Sequence, residues 1–181
     1  MSKSSNQNQN QNYELKSKII RINRTTKVVK GGRVFNISVT VVVGDGESRV
    51  GLGHAKAKEV PAAIQKATKA AEKNMIDVRL RGTTIQHPLH ARHGATTVFM
   101  QPASEGTGVI AGGAMRAIFE CLGVKDVLAK CIGSSNPSNV AQATFNGLMA
   151  MKDPSQVAYS RGIDIKQVLG MKDESEKAKA N

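Results

Sequence analysis

Every second residue from Phe35 to Val43 is apolar (Phe35, Ile37, Val39, Val41, Val43), and no other stretch constrains the fold as strongly. Side chains alternate across a strand, so this run predicts a strand over Val34 to Val43 with one face buried. Gly44-Asp45-Gly46 follows. Asp-Gly tolerates the positive backbone dihedrals of a tight hairpin turn, so the chain is expected to return as a second strand from Arg49 to Gly53. Upstream, Glu14 to Asn23 alternates partly and leads into Lys27-Val28-Val29-Lys30-Gly31-Gly32-Arg33, a turn signal edged with cations. Three antiparallel strands with a basic hairpin loop result.

From Val60 the apolar period changes. At about 100° per residue, Val60, Ala63, Ile64, Ala67, Ala71 and Met75 fall within roughly 60° of one direction, the stripe of a helix buried on one side. Pro61 suits its first turn, where no backbone donor is needed. Lys66, Lys69 and Lys73 project from the opposite side. Sheet and helix make one small core ending near Arg81. Beyond it, Thr83 to His87 and Thr96 to Gln101 are short strand candidates, Ala114 to Leu122 a helix, and Val127 to Ile132 a further strand. Ser134-Ser135-Asn136-Pro137-Ser138 starts a second helix carrying Val140, Ala143, Thr144, Gly147, Leu148 and Met151. The expected fold is α+β in two domains, 14–81 and 82–170. The second is an α/β two-layer unit. Flexible tails are expected over 1–13, an Asn/Gln/Ser tract, and 171–181.

Charge narrows the partner. The 181 residues hold 26 Lys and Arg against 14 Asp and Glu, a net charge of +12, which points to a polyanion. Residues 1–81 carry 16 basic and 6 acidic side chains (+10), and residues 82–170 carry 7 and 5 (+2). The cationic surplus is therefore N-terminal. Arg21, Arg24, Lys27, Lys30 and Arg33 concentrate it in thirteen residues, and Gly31 and Gly32 let backbone amides approach phosphates. Aromatics make up only 3% of the chain, with no Trp, so a surface that stacks on unpaired bases is hard to build and phosphate contact is easier. No apolar run spans a bilayer and no secretory start is present, so a soluble, non-exported protein without membrane contact is expected. Cys121 and Cys131 make no disulfide framework and fit a reducing compartment as small core residues.

Enzyme chemistry is not indicated. Gly44-x-Gly46 and Gly51-x-Gly53 read as turns rather than dinucleotide loops. Gly106-x-Gly108, with Gly112-Gly113 ahead of a helix, is a better phosphate-loop candidate but lacks a Walker-type Lys-Ser or Lys-Thr. His87, His90 and His93 are three apart without a fourth ligand, which favours polar loop contacts over zinc. There is no nucleophile elbow, and no tight carboxylate pair beyond Asp173 and Glu174. No catalytic residue, cofactor or metal is expected.

The chain resembles bacterial small-subunit ribosomal protein five in several segments that share order and spacing. They are Asn23-Arg24, Lys27 to Arg33, Val41 to Gly46, Lys56-Ala57-Lys58-Glu59-Val60-Pro61, Phe99 to Ala103, Glu105 to Arg116, and Gly133 to Pro137. The resemblance implies a first domain related to double-stranded-RNA-binding domains and a second with a left-handed crossover. It implies a structural constituent of the cytoplasmic ribosome that binds small-subunit ribosomal RNA, stabilises head relative to body and contributes to translational accuracy. Neighbours would be ribosomal proteins four and eight and the region where messenger RNA enters. On this chain the implied RNA contacts are Arg21, Arg24, Lys27, Lys30, Gly31, Gly32, Arg33, Arg49, Lys56 and Lys58, and Gly112, Gly113 and Arg116 would face protein four. Two other readings stay open: a small-molecule kinase using the Gly106 to Gly113 loop, and a free double-stranded-RNA-binding regulator.

Overall fold

The computed structural model describes residues 15–170, and the expected tails over 1–13 and 171–181 lie outside the described residues. Strands β1 (Lys16–Val29), β2 (Gly32–Gly44) and β3 (Arg49–Ala57) form an antiparallel meander, and helix α1 (Val60–Lys73) follows. After α1 the chain adds a fourth strand, β4 (Met75–Asp77), beside β3. The sheet thus has four strands rather than three, in the order β1-β2-β3-β4. Met75, expected on the helix stripe, instead opens β4, because Asn74 already closes the helix with its N–H on Ala70 and Ala71.

Strand alternation gives this sheet two buried faces. Val39, Val41 and Val43 pack on Ala63, Ala67 and Ala71 of α1. The stripe is alanine because the helix lies almost on the backbone of β3. A Cβ at Gly51 would sit 2.1 Å from the Ala71 carbonyl oxygen, and one at Gly53 would sit 2.0 Å from that of Ala67. These two glycines, within the strand expected over Arg49 to Gly53 and not at a turn, are mid-strand positions emptied for a helix.

The other face, with Val42 and Val50, joins a second core built by the second half. That half comprises β5 (Leu89–His93), β6 (Thr96–Pro102), β7 (Val109–Ile110), α2 (Gly113–Leu122), β8 (Val127–Gly133), α3 (Pro137–Ala150), α4 (Pro154–Arg161) and α5 (Ile165–Val168). Its sheet runs β5-β6-β8-β7, antiparallel except for the β7–β8 pair, whose parallel strands are joined through α2. Met115, Ile118, Phe119 and Leu122 of α2, with Val140 and Leu148 of α3, fill the space between this sheet and the first one. Thr83 to His87, expected as a strand, makes only an isolated bridge between Arg81 and Thr84 and buries Ile85. The strand lies one turn later, at Leu89–His93. Asn136 caps α3 by accepting from the Ser138 N–H, with Pro137 in the first turn, as the sequence predicts.

Candidate nucleic-acid interface

Strand β3 pairs with β2 only from Ile37 onward, so Gly32 to Asn36 have β1 as their sole partner. The pairs from Thr25–Asn36 to Val29–Gly32 therefore form a free two-stranded ribbon. At roughly 3.4 Å per residue it reaches about 15 Å past the third strand. Lys30 and Gly31 make the turn, which is tighter than the expected loop, and Lys27 and Arg33 stand on the strands themselves. A register shift between Ile19 and Arg21 re-phases β1 just below the ribbon.

Alternation distributes the cations on both sides. Arg24 shares one side with Arg33 and Phe35, and its guanidinium carbon lies 3.9 Å from the Phe35 ring centroid. The ring holds the cation by its negative face. On the other side stand Arg21 and Lys27 among Asn23, Thr25 and Asn36. Arg21 Nε donates to Asn23 Oδ1 (2.8 Å) and its Nη1 to Asn136 Oδ1 (3.5 Å), which ties the ribbon's root to the cap of α3. Thr25 Oγ1 donates to the Asn36 carbonyl at 3.1 Å. All five cations are exposed, and the space around Gly31 and Gly32 is open.

Lys56 extends the Arg21 side, since it pairs with Ser38, which pairs with Asn23. Lys58, just past β3, is exposed beside it. Arg49 stands apart at the opposite end of β3, where its Nε is 3.4 Å from Asp45 Oδ2. Burial alone would raise the Asp45 carboxyl. Three backbone N–H groups, from Glu47, Ser48 and Arg49, together with the Arg49 side chain, outweigh it and hold the group below the usual carboxylate range.

One polar feature next to the ribbon carries no motif. His54 Nδ1 lies 3.1 Å from Thr40 Oγ1 and its Nε2 lies 3.3 Å from Ser38 Oγ, while Thr40 Oγ1 is 3.4 Å from Ser138 Oγ. His54, Thr40 and Ser138 line a cleft of about 450 Å³ with Asn139, Gln142 and His93. The pairing Thr40–His54 across two strands makes it, and only a correct register for β2 and β3 would have revealed it. Lys66, Lys69 and Lys73 are exposed on α1, away from its alanine stripe.

The second glycine loop is committed internally. Gly108 N–H donates to Asp126 Oδ1 at 2.9 Å, and Asp126 is 4% exposed. The Gly108 N–H, the Thr83 hydroxyl and the Gly106 N–H hold the Asp126 carboxyl below its ordinary value, against a smaller opposing effect of burial. A phosphate brought to this loop would meet a resident carboxylate in place of free amides. Gly112, the cap of α2, and Gly113 are exposed with open space around them, and Arg116 is exposed with Nη2 3.4 Å from the Val109 carbonyl.

The three histidines diverge. His87 Nε2 accepts from the Lys152 N–H (3.3 Å), which leaves Nδ1 to donate to the Pro88 carbonyl (2.9 Å). His90 and His93 stand on opposite faces of β5, with His90 on the Phe99 ring at 4.7 Å and His93 in the cleft. The expected loop is a strand, so a spacing of three separates them. Among the described residues no His, Cys, Asp and Glu gather as a metal would require. Cys121 is buried, and burial pushes its thiol up from the ordinary value. Cys131 Sγ donates to the Ser134 carbonyl at 3.4 Å.

Comparison with known proteins gives a consistent result. Residues 15–79 match the family model of the ribosomal protein S5 N-terminal domain, and residues 91–161 match that of the S5 C-terminal domain. Three proteins described as small ribosomal subunit protein uS5 are similar over most of their length. That of Alcanivorax borkumensis is 61% identical over 155 residues, 86% of this chain and 93% of the relative. That of Marinobacter nauticus is 59% identical over 157 residues, 87% and 95%. That of Acinetobacter baylyi is 60% identical over 156 residues, 86% and 94%.

Proposed function

Because the chain belongs to the ribosomal protein S5 family and is a structural constituent of the small ribosomal subunit, we propose that its β1–β2 ribbon clamps small-subunit ribosomal RNA. The observation that carries this reading is the ribbon itself. It extends past its own sheet, has no core to bury, and presents Arg24 and Arg33 on one side, Arg21 and Lys27 on the other, and Lys30 at the tip. A structural role alone gives a chain no reason to hold, on a free ribbon, cations that have no carboxylate partner among the described residues. Phosphates do, since each one neutralised releases condensed counterions. Lys56 and Lys58 widen the contact at the root, whereas Arg49 lies about seven residues along β3 from Lys56 and contributes from a separate edge.

The second half, with little net charge, docks beside protein neighbours. We assign the open surface at Gly112, Gly113 and Arg116 to ribosomal protein four, and the wider second half to protein eight and the region where messenger RNA enters. Holding RNA with one half and proteins with the other stabilises head relative to body and supports accurate decoding. Asp126 already accepts from the Gly106 and Gly108 N–H groups, which takes these two donors away from the kinase reading.

The test is binding of the full chain to small-subunit ribosomal RNA over a salt series. Lys27, Lys30 and Arg33 changed together to Ala should lower the slope of log K against log salt by about 2 to 3. An unaltered affinity and slope would remove the ribbon from the interface. Sedimentation through a high-salt sucrose gradient separates the third reading, since a free regulator stays off the subunit.

A further inference from the structure

We propose that the outward face of the second sheet is a separate binding surface for unpaired RNA, with Phe99 as its stacking platform. The inward residues of this sheet, among them Leu89, Ala91, Val98, Met100, Val127 and Ala129, belong to the core. By alternation the outward set includes His90, Arg92, Thr97, Phe99 and Lys130, and no helix among the described residues lies over them. Registers place His90, Phe99 and Lys130 directly opposite one another across β5, β6 and β8. The next row is Arg92, Thr97 and Ile132.

The chemistry of this face selects its partner. Exposed His90 and half-buried Phe99 are in ring contact, their centroids 4.7 Å apart and their planes tilted by 35°, so the two rings share one aromatic patch. Lys130 and Arg92 flank it, both exposed, and no carboxylate stands on any of the four strands. A base with a free face stacks on such a ring while its phosphates meet the neighbouring cations. Bases in a duplex have their faces covered, so a flat open sheet offers them little. Protein interfaces, for their part, are depleted of Lys, which this face places as Lys130 directly beside Phe99. The scarcity of aromatics argues against such a surface from sequence alone. The fold overrides that argument by bringing one Phe of four to a His from the neighbouring strand. The inference shares with the preceding section only the premise that the partner is RNA.

Ultraviolet crosslinking of the full chain to a single-stranded RNA oligonucleotide, read by peptide mapping, tests it alongside titrations of Phe99→Leu, of Arg92→Ala with Lys130→Ala, and of the ribbon triple variant. Crosslinks are expected on the β6 peptide carrying Phe99. Phe99→Leu should weaken single-strand binding by roughly tenfold or more with an unchanged salt slope. The Arg92 and Lys130 pair should lower that slope by about 1.4. Duplex RNA binding should change only in the ribbon variant. Crosslinks confined to the ribbon, with wild-type single-strand affinity in Phe99→Leu, overturn the proposal and leave the ribbon reading intact. So does a Phe99→Leu protein, unchanged in thermal melting and crosslinks, that has lost a protein neighbour instead. Failure of the ribbon variant alone to lose duplex binding sinks the ribbon reading and leaves this surface standing.

Discussion

Asp126 shows what one buried side chain decides. Its carboxylate accepts from the Gly108 N–H and is held below its ordinary value of 3.8, so folding favours the ionised form. A depressed pKa contributes stability that is fully present above the unfolded value and is lost as pH falls through the folded one. Thermal melting between pH 7 and pH 3 should therefore fall more steeply for the wild type than for Asp126→Asn, with the variant less stable at neutral pH. Parallel melting curves over that range would contradict this assignment. Sequence reading located the glycines of this loop but not their partner, because the carboxylate comes from eighteen residues further on. Gly51 and Gly53 teach the same lesson: they were legible as special positions, but their purpose belongs to the helix that lies on them.

At the scale of elements, periodicity was a dependable guide wherever one face is buried and the other solvated. The strand over Val34 to Val43, the helix from Val60 and the second-half helices α2 and α3 follow it closely, whereas α4 and α5 were not read from it. It failed for β5, where His, Arg and Ala alternate with no strong apolar contrast and Pro88 disguises the start, and for β4 and β7, which are too short to show a period. The ribbon was legible in its charges and its turn, but not in its length, since nothing local says where β3 stops pairing. That length has a dynamic consequence. Amides of Thr25 to Val29 and Gly32 to Asn36 have one partner strand and no core beneath them, so in the free protein they should exchange with solvent far faster than those of Val39 to Val43. Equal protection along β2 would mean that the ribbon is held by something else. Bound RNA should slow exchange at these amides specifically.

The whole molecule is less divisible than its sequence suggests. Two domains with separate cores were the natural reading, yet Val42 and Val50 of the first sheet share a core with Met115, Ile118 and Phe119 of the second half. The contact is made by main chain as well. The Gly46 N–H donates to the Cys121 carbonyl at 2.9 Å, and Lys18 pairs with Glu120 nearby. A Cβ at Gly44 would stand 2.2 Å from the Cys121 carbonyl oxygen, and backbone cannot yield as a flexible side chain does. The wild type should melt in one calorimetric transition whose van't Hoff and calorimetric enthalpies agree. Gly44→Ala should separate the halves and cost roughly 1–3 kcal/mol, measured by urea titration. Two resolved transitions in the wild type would refute the shared core.

That seam also governs how a docking protein of this kind keeps its geometry. Where peptide groups touch directly, as Gly44 and Gly46 do against Cys121, the spacing of the two halves is set at that point by hydrogen-bond and van der Waals distance rather than by the choice of side chains. Surfaces on either half can then be retuned for a different neighbour without disturbing the pose in which both are offered, so long as no carbon is added at the point of contact.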